Sequence, residues 1–96
     1  MRISLALTLV AVSLATAQAA SSEPPAGAAA CTGCHPENTG VETPVPRLAG
    51  RNAADIVAAM QAFRSGQTPA TVMDRIAKGF TVEEIQAIAA WYAAQR

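Results

Sequence analysis

Two cysteines and the only histidine of this chain lie within five consecutive residues, at positions 31 to 35. Cys31 and Cys34 are three positions apart, so their thiols lie on one side of a helical turn and can reach the same edge of a flat ring. Thiols form thioethers with vinyl groups, and the imidazole of His35, directly after the second cysteine, can bind a porphyrin iron. This order of residues is typical of covalent haem attachment. We therefore predict one haem c, held by both cysteines and bound at its iron by His35.

Cysteine pairs with this spacing have other uses. A thioredoxin-like redox pair follows a strand in a β/α pattern, whereas the residues before Cys31 are rich in alanine. A structural zinc site needs four ligands, and the chain has no further cysteine or histidine to complete one. A disulfide between Cys31 and Cys34, or a haem-free thiol redox protein, remains open as the alternative.

The first residues have the pattern of an export signal. Residues 1–2 give a basic start, residues 3–15 form an apolar run, and Ala19 ends a small-x-small cleavage sequence. We predict a signal peptide over residues 1–19 that is cleaved after about Ala19. The apolar run is short for a membrane span, so no retained span is expected, with a kept anchor as the alternative. Export to the periplasm agrees with covalent haem attachment outside the cytoplasm.

The rest of the chain is long enough for one domain only. We expect a leader over residues 20–25, disordered at its start, and a single domain over residues 26–96. Seven basic and seven acidic residues give a net charge of zero, and no basic cluster indicates a nucleic-acid partner. A domain of this size buries little apolar surface and usually needs a further stabilising element, such as a disulfide, a metal ion or a bound cofactor. We therefore expect the haem to stabilise the fold, and the haem-free chain to be largely unfolded.

Apolar spacing, capping residues and glycines predict an all-α fold, with about four short helices and loops wrapped around the haem. The first helix is predicted over residues 26–34, opened by two prolines, and an irregular loop follows over residues 36–50. Asn52 is the expected N-cap of a second helix that ends at Gly66.

The C-terminal third of the chain carries two more helical signals. A short helix or turn is expected over residues 70–77, stopped by the glycine that follows. Thr81 and Glu84 have the spacing of a capping box, and Phe80 and Ile85 occupy the two positions of a hydrophobic staple. The sequence therefore predicts a well-defined start for the last helix.

Two methionines could bind the second face of the iron. Met60 continues an apolar helical stripe with Ile56 and Phe63, so core packing accounts for it. Met73 lies between a proline turn and the last helix and has no periodic apolar partner, so we predict Met73 as the distal ligand. A thioether there fills the sixth position and raises the reduction potential, which favours electron transfer over catalysis. A displaceable sixth ligand would instead suit a haem sensor or small peroxidase.

The second ring nitrogen of His35 needs a hydrogen-bond acceptor, and a backbone carbonyl is a common one. The nearest irregular segment is residues 45–48. Within it, Pro46 has a fixed backbone angle that would hold its carbonyl in place.

Together, residues 31–35 and 46–50, Met73 and the capped last helix resemble a class I c-type cytochrome. The resemblance implies that the Pro46 carbonyl accepts from the proximal histidine and that Leu48 packs on the haem. It also implies that the last helix crosses the first, with Tyr92 or Trp91 against Gly27 or a nearby alanine.

More narrowly, residues 63–66 and 71–85 are similar to the cytochrome subunit of flavocytochrome c sulfide dehydrogenases. In that family the methionine before an Arg-Ile-Ala-Lys-Gly run is the distal ligand, which corresponds to Met73. The flavin subunit oxidises sulfide and passes electrons to the haem. The resemblance implies a periplasmic electron-transfer protein without an activity of its own, whose redox partner is a flavoprotein sulfide dehydrogenase subunit.

Overall fold

A computed structural model describes residues 23–95, which contain four α-helices and no strand. The helices are α1 (Ala28–Cys31), α2 (Ala53–Ser65), α3 (Met73–Lys78) and α4 (Val82–Ala94). Both α3 and α4 pack against α2. The all-α prediction with about four short helices is confirmed. The predicted signal peptide and the first residues of the leader lie outside the described residues.

The first helix is shorter than the sequence predicts, because it begins only at Ala28 and ends at Cys31. Gly27 before it has a left-handed backbone with φ of 85°, which a continuous helix cannot contain. The N–H of Ala28 donates to the carbonyl of Pro25 over 3.0 Å, so the prolines form a turn and do not open the helix. After Cys31 the chain turns tightly, and the N–H of His35 donates to the Cys31 carbonyl over 2.9 Å.

Two contacts join the residues around α1 to the last third of the chain, and one of them is expected from the sequence. A Cβ built on Gly27 would lie 2.6 Å from Cε1 of Phe80, so the ring that packs on this glycine is Phe80 and neither Trp91 nor Tyr92. The hydroxyl of Tyr92 instead donates to the Ala28 carbonyl over 2.5 Å. The expectation of an aromatic side chain against a nearby alanine is therefore met by Tyr92.

The caps of the longer helices are confirmed. The side chain of Asn52 accepts from the N–H of Asp55 over 3.2 Å, and Gly66 ends α2 with φ of 77°. At the start of α4 the Thr81 hydroxyl accepts from the N–H of Glu84 over 3.1 Å, and the Glu84 carboxylate accepts from the N–H of Thr81 over 3.0 Å. These contacts fix the ends of the two helices that carry most of the core.

Met73 is the first residue of α3, within the segment 70–77 where the sequence predicts a short helix or turn. No side chain caps this helix. Its first turn closes through the Val72 carbonyl, which accepts from the N–H groups of Arg75 and Ile76 over 3.0 and 3.1 Å. The predicted stop is present, since the N–H of Gly79 donates to the Ile76 carbonyl over 3.0 Å.

Few side chains are buried within the described residues. Those that are buried and apolar are Ala28, Ile56, Ala77, Ile85, Ile88, Ala89 and Tyr92. Ile85 is the one large side chain among them that is fully buried. Between residues 23 and 95 no helix has the length and apolar character that a membrane crossing requires.

Candidate functional site

A cavity of about 490 Å³ lies between the helices. Its volume is within the range of roughly 300–1,000 Å³ that small-molecule and cofactor sites have. Every residue that the sequence predicts for the site lines this cavity, namely Cys31, Cys34, His35, Pro46, Leu48 and Met73. The other lining residues are apolar apart from Thr71, and they are Gly27, Ala30, Pro44, Val45, Ile56, Ala59, Met60, Phe63, Val72, Ile76, Phe80, Ile85 and Ile88.

The tight turn after α1 brings both thiols and the imidazole to one wall. Cys31 is half-buried, Cys34 is exposed, and both are free thiols. The Thr32 hydroxyl between them donates to the Ala29 carbonyl over 2.8 Å. This contact keeps a polar side chain bonded to the backbone of its own turn.

The imidazole of His35 is held through one of its two nitrogens. Its Nδ1 lies 2.5 Å from the carbonyl oxygen of Pro46. Since a carbonyl can only accept, Nδ1 carries the hydrogen, and Nε2 keeps the lone pair that a metal ion needs. The contact between His35 and Pro46 is the one expected from the sequence, and iron binding by His35 stays a prediction.

Both methionine candidates line the cavity. Met60 also packs against the cluster of buried residues that includes Ile56 and Ile88, which agrees with a packing role. Met73 begins a helix of six residues and is only half-buried. The structure therefore places both methionines at the cavity, and ligation by Met73 stays a prediction.

Burial is the main influence on the pKa values of Cys31 and Tyr92. It raises the pKa of the Cys31 thiol, whose Sγ–H donates to the Gly27 carbonyl over 3.8 Å. Burial first, and then the neighbouring Cys31, raise the pKa of Tyr92 to about 12. Cys31 is therefore protonated at neutral pH, and the hydroxyl of Tyr92 stays neutral beside it.

Two features of the site were not foreseen from the sequence. The Nε–H of Arg47 donates to the carbonyl of Glu37 over 2.9 Å, across the loop that supplies the Pro46 carbonyl. Tyr92, expected only as a packing residue, also contacts Cys31. The first contact ends on a backbone carbonyl and the second joins residues far apart in sequence, so no local pattern could have indicated them.

The residues of the cavity fit a covalently bound haem. Its walls are almost entirely apolar, both thiols share one wall with an imidazole whose Nε2 is free, and a thioether sulfur lines the same space. Among the described residues, no three side chains of His, Cys, Asp or Glu come together as a metal-binding group. These residues would suit a porphyrin site with one protein nitrogen and one protein sulfur as iron ligands.

Comparison with known proteins gives two similar sequences, and no protein-family model matches. The cytochrome subunit of sulfide dehydrogenase from Chlorobaculum tepidum is 37% identical over 62 residues, which are 65% of this chain and 56% of that protein. Cytochrome c-552 from Acidithiobacillus ferridurans is 36% identical over 62 residues, which are 65% of this chain and 27% of that protein. The similarity thus spans about half of the first relative and about a quarter of the second.

Proposed function

We propose that this chain carries single electrons through one covalently bound haem, since its sequence and its two similar proteins support a c-type cytochrome. The observation that carries the proposal is the apolar cavity of about 490 Å³, whose wall holds two thiols, a hydrogen-bonded imidazole and methionine sulfur. No other set of donors in the described residues has this combination of apolar space and iron ligands.

Each residue of the site has one task in this proposal. Cys31 and Cys34 hold the haem through thioethers, His35 binds its iron through Nε2, and Met73 binds from the other side. Haem supplies a one-electron couple when it is bound. The Pro46 carbonyl keeps the His35 ring in one tautomer, and Leu48 and the other apolar side chains exclude water, which raises the reduction potential.

Two alternatives are disfavoured by particular observations. A haem sensor or small peroxidase needs an open sixth position, and both methionines line the cavity where they can close it. A thiol redox pair needs a first cysteine with a lowered pKa, whereas burial raises the pKa of Cys31. Electron transfer needs neither an open iron position nor a thiolate.

For the redox partner, we propose the flavoprotein subunit of a periplasmic sulfide dehydrogenase. The Chlorobaculum tepidum relative is the cytochrome subunit of a sulfide dehydrogenase, which supports this choice. The surface beside the cavity also suits a docked protein, because Val72 and Ile76 line the cavity and are still 49% and 42% exposed. Apolar side chains at the mouth of a cavity are typical of a surface that another protein covers.

The test of the haem proposal uses the full chain, expressed in a host with periplasmic haem-attachment machinery. The purified protein should have the mass of the chain without its signal peptide plus one haem, and its pyridine haemochrome spectrum should be that of a haem with both vinyl groups saturated. The C31A/C34A variant, which keeps His35, should lack covalent haem. A wild-type protein with the mass of its amino acids alone and no Soret absorbance would contradict the proposal.

The partner proposal is tested by reduction of the purified cytochrome with sulfide and the flavoprotein subunit of a sulfide dehydrogenase. Ile76→Lys should slow the reduction by roughly tenfold, because it places a charge in an apolar contact. Val41→Lys is the matched control, since Val41 is 53% exposed and does not line the cavity. Equal rates for both variants, or no reduction of the wild type, would argue against this partner.

A further inference from the structure

The loop that supplies the Pro46 carbonyl has almost no structure of its own. Residues 36–46 contain neither helix nor strand, and only residues 39–40 among them form a turn. Inside the loop the N–H of Val45 donates to the hydroxyl of Thr43 over 3.2 Å. A loop of this length samples many conformations unless its ends are tied together.

Two side chains that flank the loop tie its ends. His35, just before the loop, donates to the Pro46 carbonyl at the loop's end over 2.5 Å. Arg47, just after the loop, donates from Nε to the Glu37 carbonyl near the loop's start over 2.9 Å. The two hydrogen bonds therefore join the same two ends of the loop, and each end supplies one donor. The Arg47 donor carries a positive charge, which makes its bond to a carbonyl stronger than a neutral one.

We propose that Arg47 is a positioning residue for the proximal ligand, because its Nε–H closes the loop next to Pro46 and so keeps the Pro46 carbonyl on His35. This inference rests on the proposed function, in which His35 binds the iron. Without the Arg47 contact, the hydrogen bond between His35 and Pro46 would be the only side-chain contact that joins the ends of the loop. This hydrogen bond would then break more often.

The strength of this hydrogen bond affects the iron through the imidazole. A carbonyl that accepts firmly from Nδ1–H makes the ring a better electron donor at Nε2, and a better donor stabilises oxidised iron. A looser contact therefore raises the reduction potential. Loss of a nearby positive charge would instead lower the reduction potential, so a variant that tests Arg47 must keep the charge of this residue.

Arg47→Lys meets this condition, because it keeps the charge but places a methylene where the Nε–H donor was. Arg51→Lys is the matched control, since it makes the same change at an exposed arginine four residues further on. The measurements are the reduction potential of the haem-loaded protein and the hydrogen exchange of the His35 Nδ1–H by NMR. Arg47→Lys should have a higher reduction potential than the wild type and Arg51→Lys, and its His35 Nδ1–H should exchange roughly tenfold faster.

The outcomes separate this inference from the proposed function. Covalent haem in the wild type is first detected by mass and absorbance. Its absence would contradict the proposed function and this inference together. With haem present, equal potentials and exchange rates in Arg47→Lys and Arg51→Lys would overturn the role of Arg47 alone. If Arg47→Lys yields no haem-loaded protein, the hydrogen exchange of the Arg47 Nε–H is measured in the haem-loaded wild type instead. Slow exchange would support the hydrogen bond to Glu37, and rapid exchange would show that this bond is absent and overturn the role of Arg47.

Discussion

At the scale of single residues, the half-buried Cys31 explains why this thiol suits attachment more than redox chemistry. Burial raises its pKa, so the thiol is a poor nucleophile toward disulfides at neutral pH. A thioether at the same position has no proton to lose and is apolar, so burial carries no electrostatic cost. The environment of Cys31 is therefore better matched to the product of haem attachment than to a thiolate.

The distal ligand can be assigned by replacing each methionine in turn. Met73→Ala should abolish the weak near-infrared band that arises between sulfur and ferric iron and should lower the reduction potential, because a neutral soft ligand is lost. Met60→Leu should keep the band, since Met60 packs against the buried cluster. Absorption spectroscopy and redox titration of the two haem-loaded variants measure both effects. A band that survives in Met73→Ala and disappears in Met60→Leu would assign the ligand to Met60.

Tyr92 should make stability depend on pH in the alkaline range. Burial is the largest of the causes that raise its pKa in the folded protein to about 12, and burial persists when Cys31 is a thioether, whereas an unfolded tyrosine has a pKa of about 10. The folded state thus favours the neutral phenol, and the stabilisation is complete below about pH 10 and is lost as the pH rises toward 12.

The Tyr92→Phe variant tests this prediction, because it keeps the ring and removes the hydroxyl that donates to the Ala28 carbonyl. We expect the variant to be about 1–3 kcal/mol less stable than the wild type at pH 8, since a buried carbonyl loses its donor. Denaturant unfolding between pH 8 and 12 should show this difference shrinking as the pH rises. A difference that is constant with pH would contradict the raised pKa.

At the scale of secondary-structure elements, the features that could be predicted are those whose causes lie within a few residues. The side-chain caps of Asn52 and Thr81 act over three positions, so their sequence patterns are sufficient. Gly27 lies against the ring of Phe80, which comes from the last third of the chain, and no local pattern indicates this contact or the left-handed backbone. The start of α1 was therefore predicted wrongly. The bond between Arg47 and Glu37 ends on a backbone carbonyl, which no sequence pattern marks. Cys31, Cys34 and His35 could be named because the attachment pattern is itself local, whereas the role of Leu48 was implied only by the family resemblance.

The contact between Gly27 and Phe80 can be measured against a second glycine. Gly27 and Gly66 both have positive φ, 85° and 77°, so either change to alanine strains the backbone by about 1–2 kcal/mol. A methyl group at Gly66 would meet nothing within 4 Å, whereas at Gly27 it would lie 2.6 Å from the Phe80 ring. Denaturant unfolding should therefore show a larger loss of stability for Gly27→Ala than for Gly66→Ala. Equal losses would mean that Phe80 does not pack on Gly27.

The start of α4 should weaken in acid. The N–H and then the hydroxyl of Thr81 lower the pKa of the Glu84 carboxyl group. Because the folded pKa lies below the unfolded value, this stabilisation is present above about pH 4.3 and is lost as the pH falls through the folded pKa. Acid unfolding of Glu84→Gln should therefore approach that of the wild type at low pH. Glu83→Gln, at the preceding exposed position, is the control, and the same acid dependence in both variants would contradict a specific role for the capping box.

At the scale of the whole molecule, we expect the protein and its proposed cofactor to form one folding unit. The described part of the chain has four helices, one large fully buried side chain and an apolar cavity of about 490 Å³ where a core would be. Apolar walls that face each other across an open space gain little from the hydrophobic effect until something apolar fills it. A haem in that space would complete the core and connect the turn after α1 to α3.

The haem-free chain should consequently be largely unfolded. The clearest comparison uses one sequence, purified with haem and from cells that lack the attachment machinery, because no substitution then separates the two samples. Circular dichroism should show a cooperative thermal transition for the haem-loaded protein, and low helix content without a transition for the haem-free chain. Haem-free protein that melts cooperatively with native-like helix content would mean that side chains alone can close the cavity. In that case the haem would contribute a redox couple but would not be needed to hold α2, α3 and α4 together.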